Sequence, residues 1–343
     1  MHIRTQELLA SHTTLRVGGL ADTFIVAESE NDIRDALQTY QDEDILILGG
    51  GSNLVIGERD LPSVVIHIQS QGIKVEEDAC SGAMVSVQAG VNWDEFVATA
   101  ISNEWYGIEA LSGIPGLVGA TPIQNVGAYG QDVSQTIARV KTFDRHEKKI
   151  QTFSASEYSF GYRTSRFKQE PERYVVLEVT FQLGLGVHSA PVQYSELANL
   201  LGVELGKRSK SVDVRNAVID LRTQKGMVLN EQDHDTWSVG SFFTNPVVSK
   251  EVAGLLPTTI KRWDQDKGVK ISAASLLEHS GFEKGYGLNE RASVSTKHAL
   301  AITNRGDASA DDIVELARFM HSAVLAKFSI SLEIEPRLLG VSL

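Results

Sequence analysis

The chain has 343 residues and a mass of 37.4 kDa, enough for about two domains with room for a third small one. Its hydrophobic share of 42%, charged share of 22% and aromatic share of 7% are those of an ordinary globular protein and exclude the disordered, collagenous and coiled-coil classes. The 44 acidic against 32 basic residues give a formal net charge of −12, a field that repels phosphate backbones and anionic lipid headgroups, so neither nucleic acid nor a membrane is an expected partner. The most basic run, Lys207-Arg208-Ser209-Lys210, reads as solvated surface. Cys80, the single cysteine, can form neither an intrachain disulfide nor a thiolate zinc site, which points to a reducing compartment and so to the cytoplasm. Residues 1–14 hold no apolar run of signal-peptide length, and no segment reaches the roughly 18 apolar residues of a membrane span. The histidines form no metal-binding pattern.

In chain order, Phe24 to Ala27 reads as a strand and Asn31 to Tyr40 as a helix capped by Asn31. Asp44 to Leu48 is a buried-strand run that ends in Gly49-Gly50-Gly51-Ser52-Asn53, and Val64 to Ile68 is a further strand. No long amphipathic helix separates these two strands, so the opening is not a Rossmann unit. Ile73 to Ala89 is strand-like, and Trp93 to Asn103 has helical spacing of Trp93, Phe96, Val97, Ala100 and Ile101. Ala110 to Gln131 carries no charge but five glycines and two prolines, the composition of an internal loop system. Strands are expected at Ala138 to Arg145, Lys149 to Phe153 and Tyr174 to Leu183, as a meander or antiparallel sheet. Asp213 to Arg222 reads as a helix, Thr223 to Val239 as a polar linker or mobile loop, with a domain boundary near 222. Beyond it, Val252 to Leu255, Ala273 to His279 and Asp311 to Lys327 are helices, the last capped by Ser309, and Ala299 to Thr303 and Ser329 to Ile334 are strands.

Two glycine-rich segments carry the chemical signal. Gly49-Gly50-Gly51-Ser52-Asn53 after a strand is either a plain tight turn or a backbone N–H cradle for a pyrophosphate. The uncharged segment from Ile114 to Gly130, with Gln124 and Asn125, is either a buried loop or the second half of a dinucleotide enclosure, its amides suited to a flavin pyrimidine edge. Ser165-Arg166-Phe167-Lys168 spells S-x-x-K without the companion motifs of a β-lactamase, and that reading is discarded.

These segments, together with Phe160-Gly161-Tyr162-Arg163, Arg222-Thr223-Gln224-Lys225, Gly240-Ser241-Phe242-Phe243-Thr244-Asn245-Pro246, Lys297-His298-Ala299 and Leu332-Glu333-Ile334-Glu335, resemble the UDP-N-acetylenolpyruvoylglucosamine reductases over about Thr13 to Gly340. The resemblance implies an α+β protein with the flavin-binding fold of the vanillyl-alcohol oxidase type. FAD-binding subdomain 1 would be residues 1–70 with 332–343, subdomain 2 residues 71–222, and a smaller α+β substrate domain residues 223–331. It implies noncovalent FAD held by Gly49, Gly50, Gly51, Ser52, Asn53, Pro115, Gly116, Gly119, Ala120, Thr121, Gln124, Asn125, Gly127, Ala128 and Tyr129. NADPH would supply hydride to the flavin, which passes it to the vinyl carbon of the enolpyruvyl substrate in the same cleft. The implied catalytic residues are Arg163 for the substrate carboxylate, Ser241 as the proton donor and Glu335 as an orienting partner. Tyr162, Lys225, Asn245 and His298 would contact substrate, and Tyr194 would belong to a loop that closes over it. Thr244 stands where a lysine is common, and the proline of the glutamate motif has moved to Pro336. Competing readings are a sugar or alcohol oxidase of the same fold and a noncatalytic nucleotide-sugar binding protein. A monomer is expected.

Overall fold

The computed structural model describes residues 1–78 and 82–343; Cys80 lies outside the described residues. Two compact units form, one from residues 1–7, 21–50 and 62–223, the other from 8–20, 51–61 and 224–343.

Among the described residues, the first unit contains two larger sheets and one two-stranded hairpin. In one, neighbouring strands run in the order His2–Leu8, Leu20–Ala27, Val64–Ile68 and Ile45–Leu48, with the last three parallel to one another. The helix Glu30–Thr39 packs Ile33, Ala36 and Leu37 into the core. Its cap is Ser29 rather than Asn31. Ser29 has the extended backbone that lets its hydroxyl accept the Asp32 N–H at 3.1 Å, whereas Asn31 already lies in the first turn.

The second sheet is antiparallel, as the alternation at 174–183 predicts: Lys149–Ser154, Ile137–Asp144, Tyr174–Leu185, Gly82–Gln88 and Ile73–Asp78. Its central strand buries Val175, Leu177, Val179, Phe181 and Leu183. Phe181 meets Trp93 and Phe96 of the helix Trp93–Ser102 at 5.8 and 5.1 Å between ring centroids. Each such side chain contributes about 1.5–3 kcal/mol by leaving water, so this cluster fixes the start of the helix. That start in turn holds the uncharged loop: the Trp93 backbone N–H donates to Gly116 at 3.0 Å and its indole N–H to Leu111 at 3.0 Å.

The second unit has its own core, including Phe242, Phe243, Ile271, Leu276, Ile302, Leu316 and Met320. Its main sheet runs Ser238–Ser241, Ala301–Asn304, Ala292–Val294 and is covered by the helix Ala310–Phe328. Ser309 caps that helix in a reciprocal box with Asp312. The segment expected as a polar linker, 223–239, ends in a 3₁₀ turn at His234–Thr236 and the first strand of this sheet, because Val239 is buried there. The strand expected at 329–334 does not form. Only Ile334 bridges Phe243, and the strand appears later, at Arg337–Leu339, parallel to Leu54–Ile56. Pro336 lacks the N–H that a continuous ladder requires.

Candidate active site

Within the first unit the two glycine-rich segments touch: a Cβ on Gly50 would lie 2.8 Å from the Gly116 Cα. Only glycine permits so close an approach of two backbones. The N–H groups of Val118, Gly119, Ala120 and Thr121 are engaged by the carbonyls of Val91, Ala89, Leu117 and Val118, so contact of these residues with a cofactor would run through other atoms. Asn125 has a positive φ of 47°. Its side chain donates to the Gly161 carbonyl at 3.2 Å and accepts the Ser134 N–H at 3.1 Å, tying the loop to the Gly161 turn. Gly127–Ala128 and Gln131–Asp132 form a short hairpin with Tyr129 and Gly130 at its tip. The chemistry of this donor set fits FAD: neutral amides and a tight backbone approach.

Arg163 sits beside that loop. Gly161 and Thr164 exchange backbone hydrogen bonds of 3.1 and 3.3 Å, closing a two-residue turn with Tyr162 and Arg163 at its tip. Arg163 has φ +53°, a conformation that costs a branched-free L-residue about 1–2 kcal/mol. Its carbonyl accepts from Lys168 Nζ at 3.2 Å, while its guanidinium donates to Gly127 O at 2.8 Å and Asn125 O at 3.5 Å. The fork is thus held in a fixed plane against the loop, as recognition of a carboxylate requires. Tyr162 is exposed, and its ring centroid is 5.6 Å from the Arg163 guanidinium. Lys168, part of the discarded S-x-x-K match, thus braces the Arg163 turn, a contact that the sequence motif did not reveal.

In the second unit Ser241 ends its strand after Gly240, whose φ is +76°. The Phe242 N–H donates to Leu300 O at 2.8 Å, and Phe242 O accepts the Glu335 N–H at 2.9 Å. Asn53 completes the arrangement: its side chain donates to Glu335 O at 3.4 Å and its own carbonyl accepts the Arg337 N–H at 3.0 Å. Ser241, Glu335 and the end of the first glycine-rich segment are therefore joined through backbone, although Glu335 lies on no regular strand.

The same unit collects three of the expected substrate residues. The Asn245 side chain accepts the Ala273 N–H at 2.9 Å. His298 Nδ1 accepts the Leu300 N–H at 3.1 Å. Lys297 pairs with Asp233. Asp235 anchors this turn, accepting the Thr296 N–H at 2.8 Å and its hydroxyl at 2.5 Å, with Arg305 at 3.1 Å. Burial pushes the Asp235 carboxyl up, but the Thr296 hydroxyl and N–H, then Ser295 and Arg305, outweigh it and hold it below the usual value. Lys225 precedes Gly226, where a Cβ would lie 3.0 Å from Asp235 O. Sequence reading passed over Asp235 as one acid among several in a polar stretch.

Residues 232–339 match the model of the UDP-N-acetylenolpyruvoylglucosamine reductase C-terminal domain, and residues 21–152 match an FAD binding domain. A UDP-N-acetylenolpyruvoylglucosamine reductase of Cutibacterium acnes is 50% identical, with 98% of this chain and 90% of the relative covered. The chain belongs to the UDP-N-acetylenolpyruvoylglucosamine reductase family. A second member of this reductase family, from a Mycobacterium species, is 46% identical over 98% of this chain and 95% of the relative. The crystal structure of the Thermus caldophilus reductase shares the fold with a TM-score of 0.67 at 24% identity, covering 98% of this chain and all of that one. Membership in the reductase family makes the chain an FAD-dependent oxidoreductase with a flavin-binding fold and a mixed α+β substrate region. Among the described residues, no helix is long and apolar enough to cross a membrane and no cluster of metal ligands forms.

Proposed function

We propose that this protein reduces UDP-N-acetylglucosamine enolpyruvate to UDP-N-acetylmuramate, a step of peptidoglycan precursor synthesis, with NADPH as hydride donor. The observation that carries the reading is Arg163: a positive-φ arginine at a turn tip, its guanidinium braced on carbonyls of the candidate flavin loop. Such strain at a polar residue persists where function uses it.

Bound FAD supplies the hydride relay between NADPH and the vinyl carbon of the substrate. Hydride addition there leaves negative charge on the adjacent carbon and its conjugated carboxylate. Arg163 meets that charge with a planar, permanently protonated fork. Ser241 gives a proton to the carbon, a task that needs a positioned hydroxyl on a fixed strand end. Glu335 orients this machinery from the neighbouring backbone position. Lys225, Asn245 and His298 hold the nucleotide part of the substrate, Tyr162 lies beside Arg163, and Tyr194 closes over the bound molecule. The flavin is held without a covalent bond by residues of both glycine-rich segments. We place the enzyme in the cytoplasm as a monomer with neither nucleic acid nor membrane as a partner. We divide it into FAD-binding parts 1–70 with 332–343 and 71–222 and a substrate part 223–331.

The test is turnover by the purified protein. NADPH oxidation should depend on the enolpyruvyl sugar nucleotide, and mass spectrometry should find UDP-N-acetylmuramate as product. A flavin-loaded protein that consumes NADPH only at the expense of oxygen contradicts the reading. Acid precipitation should release the yellow colour into the supernatant; colour retained in the pellet contradicts noncovalent binding.

A further inference from the structure

We propose that Glu109 is a positioning residue for substrate closure, acting through Tyr194; the proposal rests on the reading of Tyr194 as the residue that closes over substrate. Glu109 is wholly buried, with 0% exposure. Its carboxylate accepts three N–H groups from three separate stretches of chain: Gly107 at 2.7 Å, the Gln131 side chain at 3.0 Å and Ala190 at 2.6 Å. All three donors are uncharged. An aliphatic side chain would fill this space without the cost of taking a carboxylate out of water. What only the carboxylate does is hold these segments together.

Two of the three donors lead to the site. Gln131 lies in the hairpin that carries Tyr129 and Gly130, and its amide oxygen accepts the Ala110 N–H at 2.8 Å, so its orientation is fixed. Ala190 begins the segment that reaches Tyr194 four residues later. That segment lies on the hairpin tip: a Cβ on Gly130 would stand 2.8 Å from the Gln193 Cβ, and the Tyr129 and Tyr194 rings meet edge to face at 5.3 Å and 87°. Tyr194 itself is 40% exposed. Val192 is tied on its other side by bonds of 2.8 Å with Lys207 and Gly206. Glu109 therefore joins the start of the Tyr194 segment to the hairpin on which Tyr194 rests, and it sets the angle at which that ring is presented.

Glu109→Gln keeps the shape but turns an NH₂ towards at least one of the three donors. A buried N–H left without its acceptor corresponds to roughly a tenfold or larger change in an equilibrium constant. The readout is the Kd of UDP-N-acetylglucosamine enolpyruvate for the oxidised, flavin-loaded protein without NADPH, followed through the perturbed flavin absorbance. Glu109→Gln should weaken binding roughly tenfold, and Tyr194→Ala should also weaken it. The double variant should stay within about threefold of Tyr194→Ala alone, because one residue acts through the other. Multiplying effects, or wild-type Kd in Glu109→Gln, overturn the proposal. Unchanged Kd in Tyr194→Ala overturns the reading of Tyr194 and this proposal together, whereas a weakened Tyr194→Ala with multiplying effects overturns this proposal alone. Should Glu109→Gln fail to fold, Gln131→Met breaks the hairpin half of the link while leaving the carboxylate two donors, and the same non-additivity with Tyr194→Ala is expected.

Discussion

The first glycine-rich segment offers a graded test, because its three glycines differ in what an added methyl group meets. At Gly51 the backbone is left-handed, φ +59°, and a Cβ would lie 2.1 Å from His12 O and 2.8 Å from Thr13 Cα. Both obstacles are backbone. At Gly49 the same atom meets only Leu117 Cδ1 at 3.8 Å, an ordinary contact. Gly51→Ala thus combines about 1–2 kcal/mol for the left-handed conformation with about 1–3 kcal/mol of overpacking. Gly49→Ala should change apoprotein stability by no more than about 0.5 kcal/mol. Thermal unfolding of the apoprotein reads the difference directly. If the Gly51→Ala segment relieves its clash by moving away from the flavin-binding arrangement, a loss of about 2 kcal/mol or more weakens FAD by roughly 30-fold at least, measurable by quenching of flavin fluorescence. Wild-type stability and FAD affinity in Gly51→Ala would refute the reasoning, and so would a Gly49→Ala apoprotein as damaged as Gly51→Ala.

Ser241→Ala should leave flavin reduction by NADPH nearly unchanged and slow reoxidation by the enolpyruvyl substrate by roughly 10²–10⁴, about 3–5 kcal/mol of barrier; equal slowing of both half-reactions in stopped-flow absorbance contradicts a proton-donor role. Arg163→Lys should restore only part of the enolpyruvyl step lost in Arg163→Met, since an ammonium lacks the planar fork, and full turnover by the lysine variant would exclude a bidentate role. Asp235 is held below its ordinary 3.8 in the folded chain, so its stabilising contribution is complete above that value and is lost as pH falls through the lower folded one. The Tm deficit of Asp235→Asn should accordingly be largest near neutral pH and shrink below about pH 3.8; a deficit independent of pH contradicts this.

The parts legible in the sequence are those in which a pattern reports one local force. The 174–183 alternation predicts the central antiparallel strand, and the spacing of Trp93, Phe96, Val97 and Ala100 predicts the helix face that meets Phe181. The Ser309 cap follows from its place before Asp311 and Asp312. What could not be read depends on contacts distant in sequence. The expected strand at 329–334 is reduced to one bridge at its end, from Ile334 to Phe243, a partner about 90 residues earlier in the chain. The glycines illustrate the same limit. As sequence they read as a tight turn or a backbone cradle for a pyrophosphate, yet at Gly51 and Gly119 the missing Cβ faces His12 and Ala89 of the protein itself. Arg163 and Ser241 carry no local signature beyond the family motif, and the partners of Asp235 at Thr296 and Arg305 and of Glu109 at Gln131 and Ala190 come within reach only on folding.

The most direct measurement of the central claim is an anaerobic two-step titration of the purified flavoprotein. NADPH should bleach the flavin absorbance, and subsequent UDP-N-acetylglucosamine enolpyruvate should restore it with formation of one UDP-N-acetylmuramate per flavin reoxidised. Bleaching that only oxygen reverses, with the enolpyruvyl sugar nucleotide left unconsumed, would contradict the account.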